Sequence, residues 1–298
     1  MSLSVWMRVI RIKFLLASVI SVSLGLAISY WKVQSIDVVE ALVTMGGVIA
    51  LHASVDLLND FWDYKRGIDN DTKRTKFSGG SGVLPDGLLK PTSVYRAGIV
   101  FLILGSLAGV YFIVIYGLII AIILGFAVFS IYFYSTKIVD VGLGEIFVAI
   151  KGAMIVFGSV YIQTQTIDST TVICGAIAGT LSALVLYITS FPDFDADKKN
   201  GRRTLIIMLG KNAASRLFWA FPAIIYSLVL TGILFELIPL YCILVFVTLP
   251  LIIKAGITLP SKMYDVEQLV PVMKSTLLFS RITGVLLIAG FLFAFIIN

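Results

Sequence analysis

Apolar runs recur along the chain at roughly 13–31, 38–58, 94–115, 117–135, 144–165, 169–190, 214–235, 239–257 and 277–297. A helix rising 1.5 Å per residue needs about 20 such residues to cross the hydrocarbon of a bilayer. The pattern predicts an all-α, multi-pass membrane bundle of about nine transmembrane helices around a central cavity. Two joints are ambiguous. The third and fourth runs part only around Tyr116–Gly117, and Pro250 interrupts the eighth, so eight or ten spans also fit. The only sizeable polar segments follow the second and sixth runs, so chemistry is expected there.

Composition agrees. The chain of 298 residues is 59% hydrophobic and 13% charged, whereas a soluble domain is about a quarter charged. The net charge of +6 suggests nucleic acid at first sight, but there is no soluble basic domain to hold it. Arg8, Arg11 and Lys13 precede an apolar run that ends without a small-residue cleavage site, so the segment reads as a retained first membrane helix. Lys65, Arg66, Lys73, Arg74, Lys76 and Lys90 follow the second run. Lys198, Lys199, Arg202, Arg203 and Lys211 follow the sixth, and the opposite loops hold essentially Lys32. The positive-inside rule then predicts an integral cell-membrane protein with its N-terminus and both long loops cytoplasmic. An odd number of spans would put Asn298 on the other side. Cys174 and Cys242 lie within apolar runs and read as packing residues.

The two polar segments share a pattern. "NDFWDYKRGID" (59–69) and "FPDFDADKKNGRRTL" (191–205) each run from an apolar helix through spaced aspartates into a basic patch. One membrane domain over 1–298 is expected, with a pseudo-repeat whose motifs fall at 56–76 and 193–204. Asp56, Asn59, Asp60 and Asp63 sit three and four residues apart, on one side of a continued helix. Asp193 and Asp197 are four apart, with Asp195 between them. Carboxylates this close repel one another and need a neutraliser near a membrane. Nearby Lys and Arg would serve at a solvated helix end. The alternative is a hard divalent cation: magnesium takes oxygen ligands from one or two carboxylates plus substrate phosphates. A set without His or Cys argues against zinc. Two acidic arms, two basic loops and a lipid setting point to a lipid diphosphate, its free oxygens met by Lys and Arg.

These motifs resemble the two aspartate-rich motifs of the UbiA superfamily of intramembrane prenyltransferases, and "RTKFSGGSGVLPDGLL" (74–89) resembles the segment after the first motif. The first motif reads NDxxDxxxxxD, with Gly67 where an acid is commoner. With "GLGE" (142–145) and "VYIQT" (160–164), this spacing is similar to the branch that transfers a polyprenyl chain to dihydroxynaphthoate in menaquinone synthesis. The sequence departs from that pattern at Thr189 and Ser190, where relatives often carry Asn, and at Lys151, where an apolar residue is expected.

The resemblance implies ionisation of an allylic polyprenyl diphosphate, such as geranylgeranyl diphosphate, and attack of the carbocation on an electron-rich aromatic acceptor. It implies that Asn59, Asp60, Asp63, Asp69, Asp193 and Asp197 hold two magnesium ions, with Asp60, Asp63, Asp193 and Asp197 as the catalytic set and Asp56 and Asp195 beside it. Arg74, Lys137, Lys198 and Arg202 are the expected diphosphate contacts; Lys65 and Arg66 fit solvent or lipid headgroups equally. Tyr132, Tyr134, Phe157, Tyr161 and Tyr187 offer π faces to a cation. Tyr134, Tyr161 and Lys13, in "RIKF", are the acceptor or cation candidates.

Two further residues stand apart. His52, two turns before Asp60, reads as a packed helix histidine rather than a base. Lys151, well inside the fifth span, is a functional candidate by location, with Glu145 or a substrate carboxylate as partner. A transporter is the main rival, but its acids would lie near the midplane on broken helices. A CDP-alcohol phosphotransferase would carry Gly and Ala-Arg between its aspartates. Hydroxybenzoate and prenylated glycerol phosphate remain alternative acceptors.

Overall fold

The structure is a computed structural model that describes residues 2–297; Asn298, for which a side of the membrane was expected, lies outside them. Among the described residues, nine helices are long and apolar enough to cross a membrane: α1 (Ile12–Val33), α2 (Val38–Lys65), α3 (Pro91–Tyr116), α4 (Leu118–Val141), α5 (Gly144–Thr164), α6 (Ser169–Thr189), α7 (Lys211–Leu234), α8 (Leu240–Lys262) and α9 (Val266–Ile296). Short helices stand at Leu3–Val9, Ile68–Asp71, Phe194–Lys199 and Leu205–Leu209.

Local chemistry sets the ends. Asp37 caps α2 by accepting from the Glu40 amide at 2.9 Å, and Asp168 caps α6 through the Thr171 amide at 3.1 Å; each satisfies a donor the helix leaves unpaired. Pro91 opens α3 in the first turn, where no amide is needed. Gly117, at φ 74°, parts α3 from α4. Pro250 does not split α8: the span begins as a 3-10 helix over Leu240–Thr248, and the proline falls in the first turn of the α-helix that follows. α9 begins eleven residues before the apolar run from 277, because Glu267 and Lys274 lower the hydropathy of a stretch that is nonetheless helical.

α6 is the axis. In its most apolar window 61% of residues are buried, against 17% for the peripheral α3. Leu184, Tyr187, Ile188 and Phe191 pack with Phe218, Ile225 and Val229 of α7 and with Phe279 and Phe291 of α9. On α3, Val100, Ile103, Leu107 and Val114 are exposed, as a lipid-facing helix requires. α5 and α6 approach closely through glycine: a Cβ on Gly179 would stand 2.2 Å from the Ala149 carbonyl oxygen.

This contact is backbone against side chain, so the neighbour has no room to yield. Gly179→Val is expected to lower stability by about 1–3 kcal/mol or more, read as an earlier thermal transition in detergent. Gly46→Ala, where a Cβ meets nothing within 4 Å, should leave the transition unchanged or slightly raised.

Candidate active site

α2 continues as helix to Lys65, so the first motif projects from its final turns. Asp193 precedes the short helix Phe194–Lys199, and Asp197 lies on its inner side. Between them lies a cavity of about 1540 Å³, lined by Asp56, Asn59, Asp63, Asp69, Asp193, Asp197, Arg11, Arg202, Tyr134 and Thr204. The two motifs, about 130 residues apart in sequence, therefore share one chamber.

Two arginines neutralise the acids. Arg202 bridges the motifs, donating to Asp63 and, at 3.1 Å, to Asp197. Arg11 donates to Asp60 at 3.0 Å. Asn59 holds the other Asp63 oxygen at 3.0 Å and accepts from Ser135 at 2.8 Å. The pairing of acids with basic residues is thus present, but across the fold rather than at a solvated helix end. Among the described residues no three carboxylate, imidazole or thiolate groups converge on one point; Arg202 stands between Asp63 and Asp197.

Asp60 is fully buried and lies behind the chamber wall. One of its oxygens accepts from Arg11 and from the Ser81 amide at 2.9 Å, the other from the Ser81 hydroxyl. It anchors the loop 72–90 over the chamber. Within that loop Gly80, at φ +71°, passes so close to Asp69 that a Cβ would lie 2.5 Å from its Oδ1.

The remaining carboxylates carry strain of charge. Burial, with Asp63 and Asp60 nearby, raises Asp69 to about 8. Burial and Asp197 raise Asp193 to about 7, and burial raises Asp197 to about 6 despite Arg202. Each shift reflects an ionised carboxylate short of counter-charge. Asp69 Oδ2 and Asp193 Oδ1 are buried without a hydrogen-bond partner. Arg11 Nε, Arg202 Nε and Thr204 Oγ1 are likewise unpaired donors. One chamber thus holds unfilled hard-oxygen acceptors and unfilled donors. That donor set fits a hard cation bound together with a polyanion, so the residues present fit magnesium.

The backbone of α4 contributes too. Its α-helix ends at Phe133 and passes through a π turn, Tyr134–Ile138, a feature often found at functional sites. The turn sets Tyr134 on the chamber wall and frees the Ser135 carbonyl for Arg66, which donates to it at 2.9 Å and to Asp140 at 2.8 Å.

Several expected contacts lie elsewhere. Arg74 turns to Asp86 at 2.8 Å, Lys137 is exposed, and Lys198 lies over the Phe194 ring at 5.8 Å. Of the four expected diphosphate contacts, only Arg202 lines the chamber. Asp195 faces out toward Lys211 at 3.5 Å. Lys13 is exposed, its carbonyl accepting from Arg281. Tyr161 packs edge-on against Tyr116 at 6.5 Å beside Phe112, at the far end of α5. Tyr187 is buried, donating to the Ala214 carbonyl, Tyr132 is 41% exposed, and Phe157 lies against Gly175. The physical reason is common: each extends from a helix face or loop turned away from the chamber. Sequence reasoning took Arg11 only as an orientation signal, and it gave Thr204 and the Ser81 anchor no part.

Removing the Asp60 anchor severs charge-assisted hydrogen bonds of about 1.5–3 kcal/mol each. Asp60→Ala is therefore expected to speed tryptic cleavage after the exposed Lys73 and Lys76 by roughly tenfold or more, read by timed proteolysis and mass spectrometry. An unchanged rate would show that Ser81 does not tether the loop.

The profile of the UbiA prenyltransferase family matches residues 18–278. The chain is 26% identical over 297 residues to the 1,4-dihydroxy-2-naphthoate octaprenyltransferase of Escherichia coli (strain K12), covering 96% of this chain and 94% of that one. Its fold is similar to that of a UbiA homolog from Aeropyrum pernix K1 in the apo state, with TM-score 0.70, 15% identity and coverage of 95% and 98% of the two chains. It is also similar to a UbiA homolog from Archaeoglobus fulgidus bound to DMAPP and Mg2+, with TM-score 0.61, 17% identity and coverage of 95% and 99%.

Proposed function

As the chain belongs to the UbiA prenyltransferase family, we propose that it transfers a polyprenyl group to an aromatic acceptor of the dihydroxynaphthoate class. Prenyl transfer from an allylic diphosphate with magnesium is the family's chemistry; the acceptor is the finer step. The observation that carries this reading is the chamber in which unfilled acceptors on Asp69 and Asp193 face unfilled donors on Arg11, Arg202 and Thr204. The similarity to a dihydroxynaphthoate octaprenyltransferase over nearly the whole chain favours the acceptor class.

Asp63, Asp69, Asp193 and Asp197 would hold the metal, with Asn59 orienting Asp63. Asp60, the remaining expected ligand, would act from behind them through Arg11 and the loop. When bound, magnesium supplies Lewis-acid stabilisation of the charge that develops on the leaving diphosphate. Arg11 and Arg202 are placed to donate to its free oxygens, where such donors act most strongly in a site poor in water. Tyr134 presents an aromatic face to the chamber, where it would meet the developing cation. The loop 72–90, tied to Asp60, lines the chamber through Phe77, Ser78, Gly79 and Gly80 and would limit the entry of water.

The prenyl tail would lie in the apolar crevice of about 530 Å³ between α1, α6 and α9, lined by Phe14, Ile20, Leu24, Leu181 and Leu277, which adjoins the chamber through Ala17, Ser21 and Ser182. The basic loops favour a cytoplasmic rim for the chamber. A transporter reading is less favoured, because the acids cluster at one rim under an anchored loop rather than at the midplane.

The test is a product assay: protein in detergent with magnesium, geranylgeranyl diphosphate and either dihydroxynaphthoate or hydroxybenzoate, analysed by mass spectrometry. Prenylated dihydroxynaphthoate, or the prenylated naphthoquinol it gives on losing carbon dioxide, is expected. Asp63→Asn and Asp193→Asn should each lower kcat by about 100-fold or more, and a chelator should abolish turnover. Diphosphate release that depends on metal and aspartates, with neither aromatic acid prenylated, would overturn the acceptor assignment while leaving the ionisation chemistry intact.

A further inference from the structure

Beneath the acidic rim the chamber wall carries a second group of polar residues: Lys151 of α5, His52 and Asp56 of α2, and Ser18 of α1. Lys151 lies six residues along α5 from Glu145, about 9 Å deeper by helix rise. Glu145 accepts from the Leu205 amide at 3.3 Å, up at the rim, so it is not the partner of Lys151. Among the described residues no carboxylate lies within ion-pair distance of the Lys151 ammonium, and it makes no hydrogen bond. Asp56 lines the same cavity. Asp56 Oδ2 is itself buried without a hydrogen-bond partner, 3.8 Å from His52 Nε2. Ser18 meets the other nitrogen of that ring, its hydroxyl 2.6 Å from His52 Nδ1.

An ammonium inside a membrane span is costly unless something of opposite charge meets it. Here that cation and a carboxylate face one cavity, each with unfilled hydrogen-bonding capacity. A diphosphate held at the rim by Arg11 and Arg202 would leave the Lys151 ammonium, about 9 Å below Glu145, unpaired. A hydrocarbon tail would leave both groups unpaired. A molecule bearing both a carboxylate and a hydroxyl fills both. The apolar wall beside them is also suited to a flat ring: Ser18, His52, Lys151 and Ile155 border an adjoining apolar cavity of about 840 Å³ between α2, α3, α4 and α5.

Resting on the acceptor reading above, we propose that Lys151 and Asp56 form the acceptor subsite. Lys151 takes the carboxylate of a hydroxylated aromatic acid, and Asp56 accepts a hydrogen bond from a ring hydroxyl. The ring lies against Ile155 and Val55, directly below the rim where the allylic carbon is released. Lys151 is thus a specificity-determining residue: it selects acceptors that carry an acid.

The experiment measures equilibrium binding of 1,4-dihydroxy-2-naphthoate and of 1,4-naphthalenediol, which lacks the carboxylate, to the full-length wild type, Lys151→Met and Lys151→Arg in detergent with magnesium. Binding of geranylgeranyl diphosphate is the control for folding. Lys151→Met should weaken the acid by roughly 10- to 100-fold, the usual loss for a hydrogen bond to a charged group. Diol and donor binding should change less than about twofold, within the scatter of a remote substitution, and Lys151→Arg should recover most of the loss. Equal weakening of acid and diol, or no weakening of the acid, overturns the subsite while the acceptor reading stands. Donor binding by the wild type without binding of the naphthoic acid overturns the acceptor reading and the subsite with it.

Discussion

Carboxylates do not crowd into a chamber poor in water without counter-charge, and here that charge arrives from far along the chain. Arg202 reaches back from the second motif to Asp63 of the first, and Arg11 reaches in from ahead of the first span to Asp60. Removing either partner of such a buried pair leaves an uncompensated charge. The two arginines therefore bind the N-terminal segment, the end of α2 and the segment after α6 into one rim. Below that rim charged pairs are sparse, Lys32–Asp168 standing at the opposite face, and buried polar groups such as Tyr226, Thr248 and Thr283 bond to one another.

The same arrangement explains why Asp60 and Asp63, three residues apart, do different things. Asp63 faces the chamber, while Asp60 points behind its wall and fastens the covering loop through Ser81. Helical spacing puts both on one side of α2 but does not say which neighbour each meets. A motif read as a single ligand set thus divides into groups that face the chamber and a group that fastens the loop beside it.

The architecture was legible because it depends on one-dimensional quantities. Run length gave the spans, the alternation of basic loops gave the expected sidedness, and the acid spacing gave the chamber's composition. What was illegible depends on direction. Lys137 and Lys198 are basic and lie beside the motifs, yet both are exposed, and Arg74 pairs with Asp86 in its own loop. Arg11 has no local partner to mark it, and only the folding of the N-terminal segment under the loop brings it to Asp60. The start of α9 was placed late because hydropathy registers charge, whereas a helix tolerates Glu267 and Lys274 on an exposed turn.

The crevice between α1, α6 and α9 sets a charged chamber beside an apolar groove. Molecules with an oily chain and an ionic head are then shared between two phases of very different volume. For such a catalyst the relevant abundance of an oily reactant is its mole fraction in the bilayer rather than its molarity in water. Adding lipid at constant substrate dilutes that reactant and slows the reaction, although no bulk concentration has changed. Free inorganic diphosphate, by contrast, disperses into the aqueous volume. The fold thereby ties its working rate to the composition and area of the membrane around it.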